Sequence, residues 1–313
     1  MLGRTASDLY WMARYMERAE NIARLLEVGY RLTLLPHEGG DAEWRSTLRS
    51  AGCEAGYLER HGKIETAAVV NYLLLDKDNP SSVFAALSTA RRNARAQRTA
   101  ITRDMWESLN SAWIEFPVHA ATCIEAGELP GLFDWIRDRS ALFRGAMLNT
   151  ILRNDTFYFT QLGTFLERAD NTARILDVKY YVLLPENELA GGGVDSTQLS
   201  AILRSVSAHR SVRWVYRDAF KPWHIADFLI LNPQMPRSLR SCYVEIVAAV
   251  AGLVASYEAE TDCGGIAGAT LGRLAGGDMN RILQAGLHDF LRDFIASNNR
   301  LASEIASAYH FNG

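Results

Sequence analysis

The sequence predicts an all-α fold: an internally duplicated helical bundle, about five helices per half, with the halves related by a pseudo-twofold. Three observations predict it. Apolar residues recur at spacings of 3, 4 and 7 along the first 35 residues. A twelve-residue block near the start is written again 150 residues later. No Asn-Gly or Asp-Gly turn sits between alternating apolar runs, so hairpins are not signalled.

The elements follow in chain order. Ser7–Leu35 places Trp11, Met12, Tyr15, Met16, Ala19, Ala23, Leu26 and Tyr30 on one helical face. Pro36 ends that helix, and Pro185 ends its counterpart in the second half. Pro80 opens a helix running without a breaker to Ile101, and Pro236 plays the same part later. The longest apolar stretches, Ala67–Leu75 and Ile246–Ala255, fall short of the roughly 18–20 residues a membrane span needs and read as buried helices. Gly191-Gly192-Gly193 reads as a flexible connector.

The duplication is read from collinear matches. Glu17–Val28 (ERAENIARLLEV) and Glu167–Val178 (ERADNTARILDV) share eight of twelve residues, and two of the four differences are Glu/Asp exchanges. Leu34-Leu35-Pro36 pairs with Leu183-Leu184-Pro185, and Leu48-Arg49-Ser50 with Leu203-Arg204-Ser205. NYLLLDKDNPSS from Asn71 pairs with DFLILNPQMPRS from Asp227, and LFDWIRD from Leu132 with LHDFLRD from Leu287. The order is kept and the offsets stay between 149 and 156. The expected units are residues 1–153 and 154–313, packed as one composite domain.

Composition bounds the function. With 313 residues, 48% hydrophobic and 22% charged, the chain is long enough for a sizeable core and is not of disordered type. A net charge of −3 gives no global field toward nucleic acid or an anionic membrane. Cys53, Cys123, Cys242 and Cys263 lie far apart with no metal-ligand spacing, as free thiols of a reducing compartment would. The N-terminal stretch carries charge every few residues, unlike a signal peptide, so a cytoplasmic protein is expected. Only four of the 33 basic residues are lysines. A GC-rich genome accounts for such a bias; bidentate recognition of carboxylates or phosphates is the functional alternative.

Glu17, Asn21 and Arg24 form a polar stripe opposite the apolar face, extended by Tyr10 and Arg14, with Arg18 at its edge. The second copy repeats Glu167, Arg168, Asp170, Asn171, Arg174 and Asp177. A solvated face has no reason to keep particular side chains, yet these stay while core positions drift: Met16 becomes Leu166, and Ile22 becomes Thr172. The stripe is therefore expected to be enclosed, with Glu17 near Arg168 or Arg174 and Glu167 near Arg18 or Arg24. Buried charges must be paired. Three readings stand: an ion-pair network at the seam, a ligand or partner site, or a plain solvated face with i,i+4 pairs.

Other chemistry is sparse. Arg91, Arg95 and Arg98 share a stripe that the apolar counterpart segment SLRSCYVEIVAAVAGLVAS lacks; it is either a solvated basic face or a docking surface for acidic groups. Arg210, Arg213 and Arg217 interleave with Trp214 and Tyr216, but a helical Trp is more often core than a base-stacking platform, and nucleic acid is not expected. The seven histidines are scattered, and no Glu-x-x-His, HExxH, GxGxxG or P-loop motif occurs, so neither a metal nor a nucleotide site is expected in this chain.

Leu2–Leu26 (LGRTASDLYWMARYMERAENIARLL), Ala90–Asn110 and Phe165–Val178 make the chain resemble the bacterial alpha-E family, an all-helical domain named for its Glu-Arg motif. Arg92 departs from the resemblance, which implies an acidic residue there. The resemblance implies a neighbourhood: such proteins are encoded beside, or fused to, a circularly permuted ATP-grasp ligase, often with a transglutaminase-like protein. It carries the motif onto Glu17, Arg18, Asn21 and Arg24, and onto Glu167, Arg168, Asn171 and Arg174. The expected function is an accessory subunit in a hetero-complex with an ATP-grasp-type amide ligase, helping to bind a peptide or amino-acid substrate. ATP and Mg²⁺ would belong to the ligase, with no cofactor in this chain. An enzyme built on the paired Glu-Arg helices and a purely structural scaffold are the alternatives.

Overall fold

The computed structural model of the protein describes residues 1–33, 40–179, 193–217, 221–258 and 261–311. Every regular element among them is a helix. Seven precede residue 153: α1 (Gly3–Thr33), α2 (Gly40–Ser50), α3 (Glu54–His61), α4 (Thr66–Leu74), α5 (Val83–Ala96), α6 (Arg103–Glu125) and α7 (Leu129–Thr150). Eight follow: α8 (Asp155–Val178), α9 (Gly193–Ser205), α10 (His209–Tyr216), α11 (Pro222–Ile230), α12 (Leu239–Tyr257), α13 (Asp262–Ala275), α14 (Met279–Ala285) and α15 (Leu287–Ala308). This exceeds the expected five per half, because short helices are cut out by turns the periodicity does not register. Gly52, at φ +70°, turns the chain between α2 and α3 in a conformation only glycine adopts freely. Pro36, Pro185 and most of the Gly191–Gly193 connector lie outside the described residues.

Side-chain caps set several boundaries. Ser82 accepts the Ala85 N–H to start α5, Thr102 the Met105 N–H to start α6, and Asn154 the Thr156 N–H to start α8. Ser238 accepts the Ser241 N–H to start α12. The Thr102 cap corrects one expectation: the helix after Pro80 does not reach Ile101. It stops at Ala96, the chain turns, and α6 begins under the new cap.

The architecture centres on two long helices. α1 packs along α8, on α5 and α7, and on α9. α8 packs also on α12 and α15, while α6 joins α5 to α7 and α13 joins α12 to α15. Buried apolar side chains from Ala6 to Phe311 form one continuous core. α4 takes in the apolar stretch from Ala67, burying Val69, Val70, Tyr72, Leu73 and Leu74. The second stretch falls within α12, whose 19 residues are long and apolar enough to cross a membrane by length and composition alone. In the fold it packs on α8 and α13 and buries Leu239, Cys242, Tyr243, Ile246, Ala249, Val250 and Leu253.

α1 and α8 approach closely because α8 carries glycine at the contact. A Cβ on Gly163 would lie 2.1 Å from the Tyr10 carbonyl oxygen and 3.2 Å from the Ala13 Cβ. Backbone cannot yield as a flexible side chain does. Gly163→Ala is therefore expected to cost about 1–3 kcal/mol by overpacking. Gly145→Ala, where an added Cβ meets nothing within 4 Å, should gain about 0.4–1 kcal/mol by restricting the unfolded chain. Urea denaturation of the two variants checks the contrast; equal effects would contradict the close approach.

Candidate functional site

The site is the contact between α1 and α8. Both helices bury residues around almost their whole circumference, so the polar stripe of α1 is enclosed between helices. A buried carboxylate survives there only if cations and hydrogen bonds replace its water.

Glu17 is 1% exposed and receives a two-pronged guanidinium from Arg168, with Nε 3.0 Å from Oε1 and Nη2 2.8 Å from Oε2. Glu167 receives the same fork from Arg18, at 2.6 and 3.0 Å. Each Glu-Arg dipeptide thus gives its arginine to the other's glutamate. The fork is geometry that only arginine offers. Behind it, the Arg18 guanidinium lies over the Tyr15 ring at 5.1 Å and that of Arg168 over Phe165 at 5.0 Å.

Further arginines converge on this pair. Arg14 donates from Nε to Glu167 Oε2 at 2.9 Å and from Nη1 to the Tyr10 hydroxyl at 2.9 Å. Glu20, fully buried, accepts from Arg24 Nε and Nη2 at 2.9 and 2.7 Å, from Arg237 Nη2 at 2.6 Å, and from Arg144. Arg237 Nη1 also lies 3.1 Å from Asn21 Oδ1 and 3.0 Å from Glu17 Oε1. Its carbonyl accepts from the Thr172 hydroxyl at 2.9 Å, which fastens the approach to α12 onto α8. Arg144, on α7, lies 3.3 Å from Glu17 Oε2 and donates to Ser140 Oγ at 2.9 Å. Three glutamates are thereby held by six guanidiniums.

The pairing decides the protonation states. Burial pushes the Glu167 carboxyl up, but Arg18 and Arg14 outweigh it and hold the group at about 2. Burial acts the same way on Glu17 and Glu20; Arg168 and Arg237 bring Glu17 below the ordinary carboxylate range, and Arg237, Arg144 and Arg24 bring Glu20 well below it. Burial and the neighbouring Arg237 together lower Arg24.

The expected residues fall in three groups. Glu17 with Arg168 and Glu167 with Arg18 meet as two of the four expected pairs. Arg24 and Arg174 do not reach the opposite glutamate; each instead pairs one turn back on its own helix, Arg24 with Glu20 and Arg174 with Asp170 (Nε to Oδ2 2.6 Å). The reason is distance along the helix: Arg24 lies two turns past Glu17, beyond the level at which Glu167 faces α1. Asn21 joins through Arg237, and Asn171 lines a cleft beside Asp170.

Arg91, Arg95 and Arg98 do not share one helical stripe, because α5 ends at Ala96. Arg91 donates to Asn110 Oδ1 at 2.8 Å, Arg98 in the following turn lies over the Trp106 ring at 4.7 Å, and Arg95 is exposed. Trp214, expected in the core, is 88% exposed on the outer side of α10. Among the described residues no cluster of His, Cys, Asp or Glu could hold a metal, and all four cysteines are free.

Sequence reasoning missed Arg144 and Arg237. Arg144 carries no local signal. Arg237 did carry one: in the aligned segments it stands opposite Ser81, a charged residue against a small one inside an otherwise matching block.

The fold and site define a class of protein, an all-helical domain in which two long helices exchange buried Glu-Arg pairs. The chain belongs to the Alpha-E family, described as a predicted alpha-helical domain with a conserved ER motif, whose model matches residues 1–310. It is similar to the uncharacterized protein Mb2597 of Mycobacterium bovis and to MT2643 of Mycobacterium tuberculosis, each 33% identical over 117 residues. Those stretches are 33% of this chain and 13% of each relative, so the chain matches about an eighth of their length. No solved structure matches the chain.

An acid titration checks the network. Glu167 titrates near 4.5 when unfolded and about 2 when folded, so on acidification the unfolded chain takes up its proton first. The contribution is complete above about pH 5 and is lost as the pH falls from 4.5 toward 2. Glu167 alone contributes about 3 kcal/mol. Urea denaturation between pH 7 and pH 2.5 should register at least that loss; stability unchanged over this range would contradict the buried pairing.

Proposed function

We propose that the chain is a duplicated helical unit serving as the non-catalytic subunit of an ATP-grasp-type amide ligase, where it helps hold a peptide or amino-acid substrate. The duplication comes first. Residues 1–153 and 154–313 are read as two copies packed into one body about a pseudo-twofold. Beyond the offset of 150, two details support this. The Glu-Arg exchange is reciprocal. The turns before α5 and α12 also use the same bonds: Asp76 Oδ1 accepts from the Asp78 and Asn79 N–H groups at 2.8 and 3.3 Å, and Asn232 Oδ1 from Gln234 and Met235 at 2.8 and 3.2 Å.

The observation that carries the non-catalytic reading is the state of the buried carboxylates. A general acid or base works best with a pKa near the operating pH. Glu17, Glu20 and Glu167 are each held ionised by two or more guanidiniums and lie far below neutrality. Their protons are not available for exchange at pH 7, which favours a structural seam over an acid-base site. Family membership supports the ligase context, since the resemblance to alpha-E proteins implies an ATP-grasp neighbour and a transglutaminase-like protein nearby. In this reading the ligase supplies ATP and Mg²⁺, the exposed Arg95 and Arg98 offer an acidic partner basic contacts, and the complex is cytoplasmic.

Co-expression with the neighbouring ligase, followed by size-exclusion chromatography and a turnover assay, tests the proposal. The two chains are expected to co-elute, with ligase turnover raised over the ligase alone. Separate elution with unchanged turnover would overturn it. Co-elution without any substrate affinity in this chain would favour a scaffold. A Glu167→Gln variant that stays folded but abolishes turnover would favour an enzyme built on the Glu-Arg helices.

A further inference from the structure

Ser81 and Arg237 stand at equivalent places. Each follows a proline and directly precedes the serine that caps α5 or α12. Arg237 reaches across to α1, where its guanidinium meets Glu20, Asn21 and Glu17 at 2.6, 3.1 and 3.0 Å. At the offset of 150 those three residues become Asp170, Asn171 and Glu167 on α8. Ser81 lies beside them and is too short to bring a cation. A cleft of about 190 Å³ remains, lined by Asn21, Ser81, Glu167, Asp170, Asn171 and Arg174 with others.

The two equivalent sites are unevenly satisfied. Glu20 has three arginine partners, Arg24, Arg144 and Arg237. Asp170 takes one hydrogen bond, from Arg174 to Oδ2, and its Oδ1 is buried without a donor. Asn171, 7% exposed, has a buried amide nitrogen with no acceptor, and so does Asn21, 3% exposed. Buried polar groups in native proteins are nearly always hydrogen-bonded. Of these orphans Asp170 Oδ1 is the acceptor a cation would satisfy, whereas the two asparagine nitrogens are donors, and that of Asn21 stays unpaired with Arg237 in place.

We propose that this cleft binds a guanidinium-bearing ligand, its head group set against Asp170, Asn171 and Glu167 as that of Arg237 is set against Glu20, Asn21 and Glu17. Several acceptors spread around a planar fork suit a guanidinium better than a compact ammonium. The cationic walls are no obstacle. Arg14, Arg18 and Arg174 stand against Glu167 and Asp170, just as Arg144, Arg168 and Arg24 beside Arg237 stand against Glu17 and Glu20. Free arginine-like molecules and arginine side chains of peptides present the same head group. The inference rests on the equivalence of the two halves proposed above but not on the ligase, since binding is measured on this chain alone.

Isothermal titration of the full chain uses L-arginine, Nα-acetyl-L-arginine amide, L-citrulline and L-alanine, each to about 10 mM. Saturable binding of one or both guanidinium probes is expected, with citrulline and alanine at least about tenfold weaker. Binding of the free amino acid alone identifies a small-molecule ligand, and binding of the blocked amide identifies a peptide. No saturable binding of either, or citrulline or alanine binding equally well, overturns the proposal. Asp170→Asn should weaken binding at least about tenfold. Ser81→Arg, which supplies the missing side chain in cis, should abolish it while keeping or raising Tm. A raised Tm in Ser81→Arg without arginine binding to the parent chain would overturn the ligand but keep the equivalence of the halves. A lowered Tm would count against that equivalence.

Discussion

Two glutamates, one on each of two crossing helices, each hold the arginine fork of the other helix, and the rest of the structure depends on that exchange. Neither glutamate can stay ionised alone in a dry interface, because losing its water costs several kcal/mol. The exchange therefore fixes the register of α1 against α8, and the register fixes where everything packed on them sits. Gly163 lets the backbones come close enough for short contacts, and Thr172 ties the lead-in of α12 to α8 through the Arg237 carbonyl.

The network also gives the arginine bias a physical meaning. Arg14, Arg18, Arg24, Arg144, Arg168 and Arg237 all make contacts that use two or more guanidinium nitrogens, an adjacent aromatic face, or several acceptors at once. Lysine, a single strongly hydrated point charge, cannot make the forked contacts of Arg18, Arg24 and Arg168. Among the described residues the buried lysine pair, Lys179 with Glu43 at 2.9 Å, lies apart from them between α8 and α2. Codon usage can supply arginines to a surface; at this seam the geometry requires them. The network is not evenly distributed, however. Arginines surround Glu20, while Asp170 has one partner and an open cleft, and this asymmetry distinguishes the two sides of an otherwise repeated arrangement.

Much of this was legible in the sequence, for identifiable reasons. Helicity follows from the 3.6-residue pattern of α1, and the enclosure of the Glu-Arg stripe from two copies whose polar residues persist while Met16 and Ile22 change. Requiring buried charges to meet across the seam narrowed the partners to Arg168 or Arg174 and Arg18 or Arg24, and the fold chose the first of each. What the sequence hid were contacts set by tertiary placement. Arg144 comes from α7 with no motif around it, and α5 stops at Ala96 before Thr102 caps a new helix start. Trp214 on the outer side of α10 shows the same limit, since its exposure depends on which face α10 turns inward.

A double-mutant cycle on Arg18 and Glu167, with Met and Gln as replacements, measures the exchange itself. Both side chains are replaced singly and together, and stability is read from urea denaturation at pH 7. The account predicts that Glu167→Gln costs about 3–5 kcal/mol, because it strands Arg14 and Arg18, that Arg18→Met costs less, because Arg14 still holds Glu167, and that the double variant loses less than the sum by at least about 1 kcal/mol. Single changes costing under about 0.5 kcal/mol, with no coupling between them, would mean that the pair behaves as an ordinary surface contact and would contradict the account.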